Sequence, residues 1–201
     1  IRNKGEKIMS MVTDKFTIRK QILEKRASLT PDIIDIAEES AAKQLVLTEE
    51  YRKAKTIMLY MNFRNEVPTG RIIESIHSSG RKLILPYTNK AFAIIPYEIP
   101  NSGSLKDYLL CSDFGILEPD PALCKEADAG SIDLVIVPGS AFDLNNNRIG
   151  YGKGCYDRFL SQLSRNVYKL GLAYDFQVLL SIPATPTDVK MDKILIIETG
   201  N

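Results

Sequence analysis

Residues 134–137, Leu-Val-Ile-Val, are apolar at every position. A strand with this pattern has to be covered on both faces, as the central strands of parallel sheets are. Similar short apolar runs, each separated from the next by a helical pattern or a loop, occur at 56–60, 81–87, 92–97, 168–174 and 193–198. This alternation predicts an α/β fold, a three-layer single domain with a largely parallel central sheet flanked by helices.

The helices that cover this sheet are predicted from apolar spacing and capping residues. A first helix begins at Asp14, and a second begins after Thr30, which stands in an N-cap position. Further helices are expected at 69–78, 105–111 and 155–163. The apolar stripe of the first helix is predicted to consist of Phe16, Ile22, Leu23 and Leu29.

The charge balance excludes some classes of partner. The 201 residues include 26 Lys and Arg and 25 Asp and Glu, a formal net charge of +1. This balance supplies no overall field for a nucleic acid or an anionic membrane, and no apolar run approaches the roughly 18 residues of a membrane-spanning helix. The first 26 residues are locally basic. They suit either a solvated helix face or contact with a nucleic acid, an acidic partner or a phosphate ligand.

Residues 1–14 are expected to be a flexible leader and residues 15–201 a single domain.

Cysteine and histidine are too few for several common kinds of site. The three cysteines include no C-x-x-C pair, which excludes a zinc site of the usual spacing. His77 is the only histidine, so a Ser-His-Asp or Cys-His mechanism would depend on it alone. Its surroundings show no nucleophile pattern, and a surface or half-buried role is predicted.

A glycine-rich loop follows the 134–137 strand and precedes a predicted helix. Gly150, Gly152 and Gly154 let the backbone approach a ligand, and the helix N-terminus that follows favours an anion. Arg148 and Lys153 add formal positive charge. The spacing fits neither a Walker A loop nor G-x-G-x-x-G. A phosphate-binding loop and a tight structural turn both remain open.

Carboxylates near the predicted sheet edge are candidates for a metal site. Asp157, in the first turn of the helix after the loop, either offsets the helix dipole or binds Mg²⁺. Asp188 is the first candidate for a second carboxylate, and its rivals are Asp143, Asp175 and Asp192.

Two further residues have both a structural and a ligand-binding interpretation. Glu66 either hydrogen-bonds a polar heterocycle or has only a structural role, in which it caps or precedes the helix near Thr69. Phe114 either stacks on a flat ring or fills a minor core.

Several segments together resemble a known family. They are DLVIVPGSAFD, RIGYGKGCYDRFL, GLAYDFQ, IPATPTDVKMD, YMNFRNEV, FGILEP and the K-x-x-x-R pattern that begins at Lys15. In this order and spacing they resemble the 5-formyltetrahydrofolate cyclo-ligase family from Lys15 to Glu198. Cys155 stands where many members have Tyr or Phe, and Ser140 where the residue is usually apolar or Gly; neither departure removes a charge or a glycine.

The resemblance implies an enzyme that uses ATP and Mg²⁺ to convert 5-formyltetrahydrofolate to 5,10-methenyltetrahydrofolate, with release of ADP and phosphate. ATP would phosphorylate the formyl oxygen, and N10 would then attack the activated carbon. The implied partners are ATP and the folate, with or without a polyglutamate tail, and no nucleic acid or membrane. A cytoplasmic monomer is expected. A non-catalytic folate or nucleotide binder on the same fold is the alternative.

The resemblance also assigns roles by matched position. Lys15 and Arg19 would hold the ATP phosphates, and Lys153 would be the catalytic residue nearest the transferred phosphoryl group. Asp157 and Asp188 match magnesium positions. The nucleotide loop would consist of Arg148, Ile149, Gly150, Tyr151, Gly152, Lys153, Gly154, Cys155 and Tyr156. The folate would contact Met61, Glu66, Phe114, Tyr151, Gly152, Lys153, Gly154 and Cys155.

Overall fold

The structure is a computed structural model that describes residues 14–112 and 115–200. The predicted leader, apart from Asp14, and the candidate residue Phe114 lie outside the described residues. None of the described helices combines the length and the apolar character needed to cross a membrane.

The described residues form helices and strands that alternate along the chain. The helices are α1 (Lys15–Ala27), α2 (Pro31–Leu45), α3 (Glu49–Lys53), α4 (Gly70–Ser78) and α5 (Cys155–Gln162). The strands are β1 (Thr56–Met58), β2 (Lys82–Thr88), β3 (Ile94–Ile99), β4 (Leu109–Cys111), β5 (Leu117–Pro119), β6 (Lys125–Glu126), β7 (Leu134–Val137), β8 (Ala141–Asp143), β9 (Arg148–Ile149), β10 (Tyr168–Tyr174), β11 (Val178–Leu179) and β12 (Lys193–Ile197).

The central sheet has seven strands in the order β12-β10-β7-β1-β2-β3-β6. The five strands from β12 to β2 are mutually parallel, whereas β3 and β6 are antiparallel additions at one edge. The predicted largely parallel sheet is therefore confirmed. Two smaller sheets, β11-β8-β9 and β4-β5, lie beside it.

Strand β7 shows why its residues are apolar at every position. Leu134 and Ile136 pack into a core cluster that includes residues of α2 and α4. Val135 and Val137 pack into a second cluster with Phe159 of α5. All four strand residues have no exposed surface. Helices thus cover both faces of the sheet, which confirms the predicted layered architecture.

Helix α1 packs on the small β11-β8-β9 sheet rather than on the central sheet. Its buried positions are Ile18, Ile22 and Arg26, spaced one turn apart, and the two isoleucines contact Ala141 and Ile149. The predicted apolar stripe is wrong at Phe16, which is 72% exposed. The face of α1 that is buried is the one that packs on β8 and β9. Because β9 leads into the glycine-rich loop, this packing places α1 next to that loop.

The segment 98–131 departs most from its prediction. The helix expected at 105–111 is a single 3₁₀ turn, Leu105–Tyr108, which leads directly into β4. The last residues of the expected helix form β4 instead, because they pair antiparallel with β5. This pairing with a later strand overrides the local helix propensity.

Candidate functional site

The carboxyl ends of the parallel strands bring several loops together. Glu66 follows β1, Ser140 follows β7, and Gln177 follows β10. The Gln177 Nε2 donates hydrogen bonds to the carbonyl oxygens of Gly139 (2.8 Å) and Ser140 (2.9 Å), which ties two of these loops together. Ligands collect at such an edge in open parallel sheets.

The glycine-rich loop at this edge needs glycine at specific positions. Gly152 and Gly154 have φ of 102° and 66°, which L side chains adopt at a cost. A Cβ at Gly150 would lie 2.7 Å from Arg148 Nη1. Among the described residues, none accepts a hydrogen bond from the amide groups of residues 151–154. These amides, together with the N-terminus of α5, form a set of donors for an anion.

Arg148 supports this loop from within the protein. It is 4% exposed, its Nη2 lies 3.0 Å from Asp157 Oδ1, and its Nη1 donates to Pro138 O at 3.2 Å. Asp157 therefore compensates the Arg148 charge. Of the two cations predicted to flank the glycines, Lys153 is the exposed one, with its Nζ 4.9 Å from the centre of the Phe92 ring.

Helix α1 contributes two further cations. The Arg19 Nε donates to Gly150 O at 2.8 Å. The Lys15 Nζ lies 2.5 Å from Asp188 Oδ2. The K-x-x-x-R pattern thus places one cation against the glycine-rich loop and the other, one turn away, against a candidate metal ligand.

Asp157 contacts the residue that follows Asp188 in the chain. The amide of Val189 donates to Asp157 Oδ1 at 3.2 Å, and Asp188 Oδ2 accepts from the Thr185 amide as well as from Lys15. Burial raises the pKa of Asp188, but the hydrogen bonds from Lys15 and Thr185 outweigh it and lower the pKa below its usual value. Asp188 is therefore ionised at neutral pH.

The donor set of this pair fits Mg²⁺. Asp157 Oδ2 and Asp188 Oδ1 accept no hydrogen bond within the part of the chain that the structure describes. Carboxylate oxygens are hard ligands, and Mg²⁺ commonly binds one or two of them beside substrate phosphates. The described residues contain no group of three or more His, Cys, Asp or Glu side chains arranged around one point.

The three rival carboxylates are engaged elsewhere. Asp143 is buried and accepts hydrogen bonds from the amides of residues 145, 147 and 182 and from the Asn147 side chain, which shapes the β8–β9 turn. Asp175 binds the Thr199 hydroxyl, and Asp192 pairs with Lys169 at the amino-terminal edge of the sheet.

Glu66 is buried and partly unsatisfied. Its Oε2 accepts from the Phe63 amide at 2.9 Å, whereas its Oε1 has no hydrogen-bond partner among the described residues. Glu66 precedes α4, as its structural interpretation allowed, but it does not cap the helix, because its carboxylate accepts from its own loop and Thr69 occupies the N-cap position. Burial raises the pKa of Glu66 to about 7, although Arg26, the Phe63 amide and the Tyr151 hydroxyl lower it.

Other candidates fall into separate roles. Met61 is half-buried against the main core cluster, whereas Ile149 is buried between α1 and β8 and its carbonyl accepts a hydrogen bond from the Ser140 amide. Cys155 and Tyr156 are half-buried in the first turn of α5. His77 lies 2.8 Å from Pro100 O, at the C-terminal end of α4, which agrees with the predicted half-buried role.

Sequence reasoning missed Arg26. Its guanidinium has no exposed surface and donates to Tyr151 Oη at 2.8 Å and to Phe63 O at 2.7 Å. The available signal was its spacing, because it follows Ile18 and Ile22 at successive intervals of four residues.

Several buried side-chain atoms at this edge have no hydrogen-bond partner among the described residues. Among the described residues, four buried side-chain atoms lack a hydrogen-bond partner: Arg26 Nη1, Glu66 Oε1, Ser140 Oγ and Arg148 Nε. They lie in α1, in the loops after β1 and β7, and in β9 at the start of the glycine-rich loop. Buried polar atoms are normally paired, so their clustering indicates polar groups that a ligand would satisfy.

Comparisons with known proteins converge on one family. The sequence model of the 5-formyltetrahydrofolate cyclo-ligase family matches residues 11–197. The 5-formyltetrahydrofolate cyclo-ligase of Haemophilus influenzae is 30% identical over 183 residues, which cover 89% of this chain and 95% of the relative. The 5,10-methenyltetrahydrofolate synthetase of Aquifex aeolicus, solved by NMR, superimposes with a TM-score of 0.78 at 30% identity and covers 93% of this chain and 90% of its own. The corresponding enzyme of Mycoplasma pneumoniae gives a TM-score of 0.72 at 28% identity, covering 90% of this chain and 98% of its own.

Proposed function

The chain belongs to the 5-formyltetrahydrofolate cyclo-ligase family, and from that premise we propose that this ligase converts 5-formyltetrahydrofolate to 5,10-methenyltetrahydrofolate with ATP and Mg²⁺. The observation that carries the proposal is the joint presence, at one sheet edge, of a loop of unpaired amides with flanking cations and a buried, half-satisfied carboxylate. The first suits a triphosphate, and the second suits the N–H groups of a pterin.

The proposed reaction has two steps. The formyl oxygen attacks the γ-phosphorus of ATP, the bond to the β,γ-bridging oxygen breaks, and ADP leaves. The N10 lone pair then attacks the activated formyl carbon, N10 loses its proton, and the carbon–oxygen bond breaks to release phosphate. Phosphoryl transfer depends on positioning and charge neutralisation, which explains why a site without a catalytic histidine suffices.

The residues of the loop and of α1 would hold the triphosphate. The amides of 151–154 would bind phosphate oxygens, while Lys153 and Arg19 would neutralise their charge. Lys15 reaches the same region through Asp188. Arg148 would act from beneath the loop, because its guanidinium is buried against Asp157.

Asp157 and Asp188 would hold Mg²⁺, which when bound would supply further charge neutralisation at the phosphates. Without a metal, Lys15 and Arg148 compensate the two carboxylates. Because Mg²⁺ would neutralise part of the phosphate charge, turnover should require the metal ion.

Replacing Arg19 by alanine should raise the KM for ATP about tenfold and leave the KM for the folate nearly unchanged, because a charge-assisted contact with phosphate is lost. Steady-state kinetics with each substrate varied in turn measures both constants. Lys20→Ala is the matched control, since Lys20 is the exposed neighbour on the same helix. An effect of Arg19→Ala on thermal stability alone would restore the interpretation of a solvated helix face.

Replacing Glu66 by glutamine should raise the KM for the folate about tenfold, because an ionised acceptor for pterin N–H groups is lost.

Replacing Glu66 by glutamine should also change the free energy of unfolding in a pH-dependent way. The folded-state pKa of Glu66 is about 7, above the ordinary 4.5. Ionised Glu66 therefore costs the folded state about 3 kcal/mol at high pH, and this cost disappears as pH falls through 7 toward 4.5.

Denaturant unfolding of the ligand-free protein tests this sign. The gain in unfolding free energy from Glu66→Gln should be larger at about pH 8 than at about pH 5. Equal changes in unfolding free energy at both pH values, together with an unchanged folate KM, would show that Glu66 does not bind the folate.

Release of phosphate tests the proposed function as a whole. Purified protein with ATP and Mg²⁺ should release phosphate only when 5-formyltetrahydrofolate is added, with one phosphate per folate consumed. Folate-independent release, or folate binding without any release, would favour the non-catalytic binder instead.

A further inference from the structure

Arg26 links three elements around the candidate folate pocket. From α1, its Nε donates to Arg64 O at 2.9 Å and its Nη2 donates to Phe63 O at 2.7 Å. The same Nη2 donates to Tyr151 Oη at 2.8 Å, so the guanidinium touches both the loop after β1 and the glycine-rich loop. In return, Asn65 Nδ2 donates to Arg26 O at 2.9 Å.

The loop that Arg26 contacts has an uncommon backbone. Arg64 and Asn65 have φ of 48° and 52°, and neither is glycine. Such consecutive left-handed residues persist only where the surroundings hold them, and strained segments of this kind concentrate at functional sites. Glu66, whose Oε2 accepts from the Phe63 amide across the same turn, follows directly.

We propose that Arg26 is a positioning residue that holds the 63–66 turn and the Tyr151 hydroxyl in place, so that Glu66 faces the folate in its binding geometry. The inference rests on the proposed function, because the folate is the ligand whose recognition it explains. Arg26 acts through Glu66 and Tyr151 rather than on the reacting atoms.

A purely structural role does not explain this arginine. A buried guanidinium is costly, and an apolar residue on the same helix face would stabilise α1 at lower cost, as Ile18 and Ile22 do. Arg26 Nη1 is also left without a partner among the described residues, and so is Glu66 Oε1.

Helix α1 connects the two halves of the site. Arg26 comes eleven positions after Lys15 on the same helix, which is roughly 16 Å along the axis. Lys15 contacts Asp188 at the proposed metal site, whereas Arg26 contacts the turn that carries Glu66. One rigid helix therefore sets the distance between the phosphate and folate ends.

The groups that act on the ionisation of Glu66 come from every element around it. Burial favours the neutral carboxyl and raises its pKa, whereas the charge of Arg26 favours the ionised form and lowers the pKa. The other ionisable neighbours are the hydroxyls of Tyr60, Tyr151, Tyr156 and Tyr174. The positive charge of Arg26 lowers the pKa of Glu66, so loss of this charge should raise that pKa above about 7.

Two substitutions separate geometry from charge. Arg26→Lys keeps the charge but loses the planar fork, and it should weaken 5-formyltetrahydrofolate binding about tenfold without moving the pH midpoint of binding. Arg26→Gln loses both, so it should weaken binding and also shift that midpoint to higher pH. Calorimetric titration of the full chain across pH measures both quantities, and Lys25→Gln, at the exposed neighbouring position, is the matched control.

The Tyr151→Phe variant keeps the proposal testable if an Arg26 variant does not fold. It removes a single hydroxyl acceptor of Arg26 and should weaken folate binding several-fold, with the affinity for a non-hydrolysable ATP analogue changed by less than about threefold. Where both proteins fold, combining it with Arg26→Lys should cost less than the sum of the two single effects.

The outcomes distinguish this proposal from the proposed function. Weaker folate binding in the variants, with the midpoint shift confined to Arg26→Gln, supports the positioning role. Variants that bind the folate as tightly as the wild type, or an unchanged midpoint in Arg26→Gln, overturn the positioning role alone. A wild-type protein that does not bind 5-formyltetrahydrofolate overturns the proposed function and, with it, this inference.

Discussion

Replacing Lys153 by alanine should lower turnover at saturating ATP by at least about a hundredfold, as expected when a group that stabilises the transferring charge is removed. Lys153 is exposed in the glycine-rich loop, between two glycines with positive φ, and the other loop cation, Arg148, is already paired with Asp157. No second charge in the loop can therefore replace it. Single-turnover kinetics of folate conversion measures the effect directly.

The structure predicts little change in stability from this substitution. The Lys153 side chain contacts the Phe92 ring, and it forms no ion pair within the described residues. Lys106→Ala, an exposed lysine in the 3₁₀ turn, should leave turnover unchanged and is the control. Wild-type turnover of Lys153→Ala at saturating ATP would show that the assigned catalytic role is wrong.

Replacing Asp157 by asparagine should also lower turnover by at least about a hundredfold, because it removes one of two carboxylates proposed to hold Mg²⁺ and unbalances a buried arginine. Asp157 Oδ1 lies 3.0 Å from Arg148 Nη2 and accepts from the Val189 amide. Asparagine keeps the shape and one acceptor oxygen. The remaining activity should need a higher Mg²⁺ concentration than the wild type does.

A magnesium titration of activity, combined with thermal unfolding, separates the two causes. A loss of activity that excess Mg²⁺ partly restores indicates metal binding, whereas a lower melting temperature with an unchanged magnesium dependence indicates only the Arg148 pair. Asp32→Asn, at an exposed position in the first turn of α2, is the control for loss of a carboxylate. Full activity of Asp157→Asn at low Mg²⁺ would contradict the proposed metal site.

The central sheet could be predicted because the amino-acid composition of its strands indicates whether one or both faces are buried. The four residues of β7 alternate between two core clusters, and only a strand covered on both faces requires such a pattern. The glycine-rich loop could be located for a similar reason, since Gly152 and Gly154 adopt backbone angles that other residues rarely take.

Features that depend on contacts distant in sequence could not be predicted. Arg26 looks like one more basic residue of a solvated helix until the loop after β1 provides its acceptors, 37 and 38 residues later. Phe16 looks like a core residue until α1 packs on the small sheet through another face. The β8–β9 hairpin is hidden in an Asn-rich segment because Asp143, rather than an apolar pattern, organises its turn.

The candidate site was predictable in outline but not in arrangement. Its charged residues and glycines were identified along the chain, yet the sequence could not show that Arg148 is buried against Asp157 while Lys153 is exposed. It also left four carboxylates as possible partners of Asp157, and the contact between Val189 and Asp157 favours Asp188, the residue next to Val189.

The most direct test of the central claim is the absorbance of the methenyl-folate band during incubation of purified protein with 5-formyltetrahydrofolate and Mg²⁺. The band should grow only when ATP is also present, and it should stop growing when either substrate is exhausted. A flat trace in the presence of ATP, from protein that calorimetry shows to bind the folate, would contradict catalysis and leave a folate-binding protein on the same fold.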